Sequence, residues 1–191
     1  MKILGLDLAG SEKRATGYCI IEKGKAKHGT VYMNQEILNL IKNEKPNIVA
    51  IDAPLSLPAG RKKIEERNNK HFRECDLMLR KKGIKFFPIT LGPMRMLTKR
   101  GMELKKSIEK IGKKIKVMEV FPGATYDVYG IRRKNKKEIL EWAKKFGVDG
   151  RKAKTQDELD AIACAITGKL YAEGKATLLK GKDGAIVIPK V

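Results

Sequence analysis

Three aspartates of this chain lie among apolar residues, where a charge is costly. Asp7 interrupts the run Ile-Leu-Gly-Leu-Asp-Leu-Ala, Asp52 ends Ile-Val-Ala-Ile-Asp, and Asp160 lies within Leu-Asp-Ala-Ile-Ala-Cys-Ala-Ile. An ionised carboxylate away from water costs free energy unless it is paired or bound to a metal. Asp157 precedes Asp160 by three residues, so both carboxylates can point to the same side of a helix. We therefore interpret these four aspartates as a candidate site.

A carboxylate cluster of this kind suits the metal-dependent hydrolysis of a phosphodiester. The reaction needs an activated water and a stabilised leaving oxygen, and two Mg²⁺ ions about 3.5–4 Å apart supply both. Mg²⁺, or Mn²⁺ in its place, prefers hard oxygen ligands and needs neither cysteine nor histidine. We expect Asp7 to bridge the metals, with Asp52 holding one ion and Asp160 the other. Asp157 then either supports the ligands from outside the metal's own coordination sphere or is an alternative ligand.

Each of these aspartates also has a purely structural interpretation. Asp7 could begin a turn that includes Gly10, and Asp52 could be satisfied by backbone amides at the end of its strand. Asp157 and Glu158 could favour the helix N-terminus by their charge, and for Glu158 this is the preferred interpretation. Asp160 comes after the first turn of a mostly apolar helix and is the hardest to explain in this way.

The pattern of apolar residues predicts the elements that would bring the aspartates together. Alternation and apolar runs predict three antiparallel strands, a helix and then a buried strand: Ile3–Leu8, Thr16–Glu22, Ala26–Met33, Glu36–Lys42 and Ile48–Asp52. The crossover through the helix lets the fourth strand run parallel to the first. Asp7 and Asp52 would then meet at the carboxyl edge of the sheet, where ligand sites of open α/β sheets lie.

The rest of the chain is predicted to be mainly helical, with one more strand in the sheet and a short one at the end. The predicted helices are Ile64–Lys82, Met94–Ile111, Lys136–Phe146 and Asp157–Tyr171, and the strands are Ile115–Phe121 and Ala185–Ile188. Thr155 and Glu158 form a capping box for the last helix. We predict one α/β domain over residues 1–191, with a mixed five-stranded sheet (three antiparallel strands, then two parallel), flanking helices and a helical, basic insertion.

The charge balance indicates an anionic partner. The chain has 42 Lys and Arg against 22 Asp and Glu, a net charge of +20. Nucleic acid is favoured over a membrane surface, because no convincing basic amphipathic helix with an aromatic face is present. Basic side chains at eight positions could contact phosphates, although charge runs are usually solvated surface. They are Arg61, Lys62, Lys63, Arg73, Arg132, Arg133, Arg151 and Lys154.

Composition also argues against several other classes of protein. Three cysteines and two histidines, widely spaced, do not suit a zinc site. No run approaches the roughly 20 apolar residues of a membrane span. Asp7 interrupts the apolar start too early for a signal peptide. We predict a cytoplasmic protein.

Four motifs in order resemble domain-of-unknown-function family 429. They are Ile-Asp-Ala-Pro-Leu-Ser-Leu-Pro (51–58), Arg-Glu-Cys-Asp (73–76), Glu-Val-Phe-Pro (119–122) and Asp-Glu-Leu-Asp-Ala-Ile-Ala-Cys-Ala (157–165). The Asp-x-x-Asp helix is also similar to that of Holliday-junction resolvases. The resemblance implies a nuclease of the RNase H-like fold.

For individual residues, the resemblance supports the four aspartates and adds Glu119 as a catalytic candidate, with Arg73 and Asp76 as neighbours. Glu119 could line the same cleft or be an ion-paired structural residue, and Arg73 and Asp76 could be only an intrahelical pair. The acidic residue on the first helix of RNase H enzymes has no clear match, and Glu36 and Glu44 are the weak candidates. Resolvases work as dimers, so a homodimer is possible.

Two other functions compete with a nuclease. A non-catalytic nucleic-acid-binding module of the same fold would explain the charge equally well, but it would have no need for carboxylates that face phosphate. An actin-like nucleotide-binding phosphotransfer protein shares the fold and a Gly-Ser turn after the first strand, but it needs two such domains. A chain of 191 residues supplies one.

Overall fold

A mixed sheet of five strands forms the centre of the computed structural model, which describes residues 1–112 and 114–190. Its strands are β1 (Lys2–Asp7), β2 (Thr16–Glu22), β3 (Lys25–Val31), β4 (Ile48–Asp52) and β5 (Lys116–Glu119). The spatial order is β3-β2-β1-β4-β5. The first three strands are antiparallel, and β4 and β5 run parallel to β1. This topology confirms the predicted sheet.

Helices cover both faces of the sheet. They are α1 (Asn34–Glu44), α2 (Glu74–Lys81), α3 (Gly92–Ile111), α4 (Pro122–Val128), α5 (Lys136–Lys145) and α6 (Gln156–Ala172). Alternate residues of a strand point to opposite faces, and the core divides accordingly. Ile3 and Ala50 pack towards α6, whereas Leu4 and Val49 pack towards α1 and α3. Burial on both faces explains why β1 and β4 are almost continuously apolar.

Helix α6 lies directly on β1 and β2, and two glycines permit this close approach. A Cβ at Gly5 would overlap the main chain of α6 at Ala161 and Ala165. A Cβ at Gly17 would overlap the main-chain carbonyl of Asp157. Because α6 is surrounded by sheet and helices, it is buried nearly all round, as its apolar sequence predicts. The predicted capping box is present, with Thr155 accepting a hydrogen bond from the Glu158 backbone amide.

Two features of the local structure differ from the prediction. The helix predicted over Ile64–Lys82 is restricted to α2. The segment before it is a loop, whose carbonyl groups at Ile64, Glu66 and Asn68 accept hydrogen bonds from the buried Arg61 guanidinium. The sequence analysis also missed α4, which begins at Pro122. Proline is favoured at the first position of a helix, where its missing N–H costs nothing.

A separate hairpin of strands β6 (Ala176–Gly181) and β7 (Gly184–Pro189) follows α6. Only β7 was predicted. The hairpin packs against α2 through a small apolar cluster that includes Leu79, Leu179 and Ile186. None of the helices in the described ranges has the length and apolar character of a membrane-spanning helix.

Candidate carboxylate site

Asp7 and Asp52 lie side by side at the carboxyl ends of β1 and β4. The two residues are partners in the register of the parallel pair. Each is four residues after an isoleucine that faces α6, so both carboxylates also point towards α6. The two carboxyl groups are close enough that the charge of Asp52 raises the pKa of Asp7.

Asp160 reaches the same place from α6. Its Oδ1 atom accepts hydrogen bonds from the Tyr126 hydroxyl at 2.7 Å and from Gln156 Nε2 at 2.8 Å. The close contact between Gly17 and the Asp157 main chain fixes the start of α6 beside the end of β1, because Gly17 is the register partner of Asp7. The structure therefore brings the four predicted aspartates together.

The cluster has more negative charge than its surroundings balance. Burial raises the pKa of Asp7 well above its usual value, and the charges of Asp52, Asp160 and Asp157 raise it further. Burial and the neighbouring Asp160 likewise raise the pKa of Asp52, which Arg133 opposes. Burial raises the pKa of Asp160 to about 6, although the Tyr126 and Gln156 hydrogen bonds lower it. Aspartates that compete for protons in this way would be stabilised by a cation.

The donor chemistry of the cluster fits a hard divalent cation, but its arrangement is not that of a finished metal site. Within residues 1–112 and 114–190, no three His, Cys, Asp or Glu side chains are grouped so that they could hold a metal ion. Asp7 and Asp52 would both have to be ionised to bind one ion, and their raised pKa values oppose this. Metal affinity would therefore increase with pH in the range where these carboxyl groups titrate.

The turn that follows Asp7 is held by other residues. The Ala9 backbone amide donates to Thr16 Oγ1 at 3.1 Å. The Arg100 guanidinium donates to the carbonyl oxygens of Ala9 and Ser11 at 2.8 and 3.0 Å. The turn therefore does not depend on the Asp7 carboxylate. Arg100 was not singled out from the sequence, where it is one basic residue of many on α3.

Glu119 belongs to a different arrangement from the aspartates. Its register partner is Ile51, so it leaves the sheet on the face opposite to Asp52. Both of its carboxylate oxygens accept hydrogen bonds from Arg73, at 2.6 and 2.7 Å, and Oε2 also accepts from the Leu55 backbone amide at 2.8 Å. Arg73 also binds Asp76 at 2.7 Å. This buried ion group ties the loop after Asp52 to β5 and α2.

The predicted basic contacts divide into buried and exposed residues. Arg73 is 1% exposed and Arg61 is 6% exposed. Their guanidinium groups bind protein oxygens, so we leave both out of the nucleic-acid surface proposed below. Arg133 lies beside the aspartates and pairs with Asp127. The other predicted basic residues are exposed: Lys62, Lys63, Arg132, Arg151 and Lys154.

Glu36 and Glu44 have structural partners. Glu36 Oε2 accepts hydrogen bonds from the backbone amides of Tyr32 and Met33, where it caps α1. Glu44 pairs with Lys2 at 2.9 Å, on the edge of the sheet where β1 begins. Because Lys2 is at the opposite end of β1 from Asp7, Glu44 is distant from the cluster. Neither glutamate joins the four aspartates.

An apolar cavity of about 450 Å³ opens beside Asp52. Arg133 and Lys85 lie at its edge, together with three phenylalanines from two segments of the chain. Nothing in the sequence pattern predicted this cavity. Its walls come from residues that are far apart in sequence: Phe86, Phe87, Ile89, Met94, Leu97 and Phe121.

The strand order, the helices on both faces and the position of the aspartates define a protein of the RNase H-like fold. Comparison with solved structures supports this class. The Thermus thermophilus RuvC structure matches with a TM-score of 0.52 and 15% identity, over 97% of this chain and 99% of that one. T. thermophilus RuvC in complex with Holliday junction substrate matches with a TM-score of 0.53 and 13% identity, over the same shares.

The family follows from a second comparison. The model of the family described as "Protein of unknown function (DUF429)" matches residues 5–184, and the chain belongs to this family. The resemblance of the four sequence motifs is thereby confirmed. No curated protein gives a significant match to the chain.

Proposed function

We propose that this protein is a nuclease that hydrolyses phosphodiester bonds of nucleic acid with the help of Mg²⁺ or Mn²⁺. The observation that carries the proposal is the alignment of Asp7 with Asp52 on adjacent parallel strands, with Asp160 facing them from α6. A fold alone does not imply an activity. Buried carboxylates with strongly raised pKa values in a cleft are, however, typical of functional sites.

Asp7, Asp52 and Asp160 would hold the metal, and Asp157 lies close enough to add a further carboxylate. The chemistry that such ions supply is an activated water and a stabilised negative charge on the leaving oxygen. Tyr126 and Gln156 would keep Asp160 in place, because both donate to Oδ1 and leave Oδ2 for another partner. Arg133, whose charge lowers the pKa values of Asp52 and Asp160, would bind a phosphate oxygen.

Nucleic acid is the proposed partner because of the net charge of +20. The exposed basic residues Lys62, Lys63, Arg132, Arg151 and Lys154, together with Arg133, are the proposed contacts. The second RuvC structure contains a Holliday junction substrate, which makes branched DNA one substrate to test. We also propose a single domain over residues 1–191, a cytoplasmic location and the possibility of a homodimer.

A non-catalytic binding module of the same fold is the second candidate. The raised pKa values of Asp7 and Asp52 favour it, because metal ligands must be deprotonated. The two functions differ in what the aspartates do. In a nuclease they are essential, whereas in a binding module their loss leaves binding intact or strengthens it.

The test is a cleavage assay with matched variants. Labelled single-stranded, duplex and four-way-junction DNA, RNA and RNA–DNA hybrid are incubated with the protein and Mg²⁺ or Mn²⁺. We expect cleavage by the wild type and by Asp149→Asn, an exposed aspartate paired with Arg151. We expect none by Asp7→Asn or Asp52→Asn. Equal cleavage by Asp7→Asn would refute the site, and salt-dependent binding without cleavage by any of the proteins would favour the binding module.

A further inference from the structure

The apolar cavity beside Asp52 has no role in the chemistry proposed for the aspartates. It lies between the loop around Phe86, the start of α3 and the residues that follow β5. Most of its surface is hydrocarbon or aromatic, and it is open to solvent on one side. Surface cavities of this size with few polar groups are typical ligand sites. A ligand must therefore suit both this apolar cavity and the proposed phosphodiesterase site that it adjoins.

The loop at the mouth of the cavity presents one anchored and one exposed aromatic ring. Phe86 packs edge-on against Phe72, with 6.1 Å between ring centroids. Phe87 is 68% exposed, although it lines the cavity. Arg133 donates a hydrogen bond to the Lys85 carbonyl at 3.0 Å, which attaches the loop to the site. An exposed ring on an anchored loop can stack on a planar partner with little loss of conformational entropy.

The charges around the cavity indicate what the partner carries. Of the six charged residues in its lining, Arg73, Asp76 and Glu119 pair with one another, which leaves Asp52, Lys85 and Arg133. The Arg133 guanidinium is 5.3 Å from the centroid of the Phe121 ring. Gly123 permits this arrangement, because a Cβ there would lie only 2.8 Å from Arg133 Nη1. An apolar, aromatic interior with a basic edge complements a nucleobase attached to a phosphate backbone. An apolar peptide segment would use the interior and not the charges.

We propose that this cavity binds a nucleobase displaced from its stack. The substrate is then a strand with an unpaired nucleotide next to the phosphodiester bond that is cleaved at Asp52. The inference rests on the proposed function, since it names the substrate class of the same site. Taking a base out of a stack costs free energy, and the cost is least where the base is already mismatched or single-stranded. Selectivity for unpaired nucleotides follows from this cost.

The test measures binding without cleavage. Fluorescence anisotropy in EDTA compares three DNA duplexes of equal length: fully paired, with one extra unpaired nucleotide, and with an abasic residue in place of that nucleotide. We expect the wild type to bind the second duplex about tenfold more tightly than either of the others. Equal affinity for the second and third duplexes would overturn the proposal, because the protein would then recognise the distortion of the duplex and not the base.

Two variants and a control locate the effect. Phe87→Ala removes the exposed ring, and Leu97→Trp fills the cavity from α3. Each should reduce the tenfold preference to about twofold or less. Leu178→Ala, which truncates a 43% exposed side chain on β6, should retain it. Circular dichroism melts establish that each variant is folded, and a folded Phe87→Ala or Leu97→Trp protein with the full preference would overturn the proposal.

The same preparations separate this inference from the nuclease activity. The preference in EDTA, without cleavage in Mg²⁺, would support the cavity and refute the nuclease. Cleavage without the preference would support the nuclease and refute the cavity, and absence of binding to DNA and to RNA duplexes of the same three designs would refute both. If size-exclusion chromatography shows a wild-type dimer that Phe87→Ala dissociates, the surface is a contact between two copies and the nucleobase proposal is overturned.

Discussion

Replacing Asp160 by asparagine is expected to make the metal-free protein more stable at alkaline pH. Burial raises the pKa of Asp160 from 3.8 to about 6 in the folded state. The folded protein therefore binds this proton more tightly than the unfolded chain does. Below pH 3.8 the group is protonated in both states and costs nothing. Stability falls as the pH rises from 3.8 to about 6, and the full cost remains above that range.

The magnitude follows from the size of the shift. A difference of about two pKa units, at 1.36 kcal/mol each, corresponds to about 3 kcal/mol at pH 8. The same linkage gives about 1 kcal/mol at pH 4.5. Asparagine keeps an oxygen that can accept from Tyr126 and carries no charge. Removing the charge of Asp160 also reduces the repulsion that raises the pKa values of Asp7 and Asp52.

The assay is urea unfolding in EDTA at pH 4.5 and pH 8, with Asp149→Asn as the matched control. The Asp160→Asn protein should gain roughly 3 kcal/mol at pH 8, which corresponds to an increase in Tm of roughly 6–12 °C. The gain should shrink to about a third at pH 4.5. Asp149 pairs with Arg151 in solvent, so its replacement should not stabilise the protein. A gain that is absent at pH 8, or independent of pH, would refute the electrostatic reasoning.

Three further predictions concern the surroundings of the cluster. Glu119→Gln leaves a buried guanidinium with one charged partner fewer and should cost about 3 kcal/mol in urea unfolding; an unchanged midpoint would contradict the ion group. Gly17→Ala should cost about 1–3 kcal/mol, because its Cβ overlaps the Asp157 carbonyl. Gly92→Ala, which meets open space, is its control and should be neutral. Millimolar Mg²⁺ should raise the Tm of the wild type by mass action and leave that of Asp7→Asn unchanged; equal shifts would place the ion elsewhere.

The sheet was predictable because its signals are local. Apolar runs predicted β1 and β4, and the crossover through a helix predicted that the two strands run parallel. The proximity of Asp7 to Asp52 followed from these two predictions. The alternation of side chains along a strand also predicts which face of the sheet each aspartate occupies. Residues 3, 5 and 7 face α6, and so do residues 48, 50 and 52, which places both aspartates on the side of the last helix.

The rest depended on tertiary contacts that have no local signal. Arg73 and Glu119 are 46 positions apart, and neither residue type alone indicates a buried ion pair. The loop before α2 was predicted to be helical, but a single buried arginine, Arg61, binds its carbonyl groups. Gly5 and Gly17 were a usable signal, since a glycine inside a strand often marks a close approach of backbone.

The late position of α6 in the chain has a consequence for biosynthesis. Synthesis proceeds from the N-terminus, so β1, β2 and β4 leave the ribosome well before Gln156–Ala172, the helix that covers one face of their sheet. Until then that apolar face lacks its cover, and the nascent chain resembles an aggregation-prone folding intermediate. Asp160, on α6, is also synthesised after Asp7 and Asp52. A nascent chain that has not reached α6 therefore lacks the complete cluster, and any activity that depends on the cluster would begin only after Gln156–Ala172 has been made.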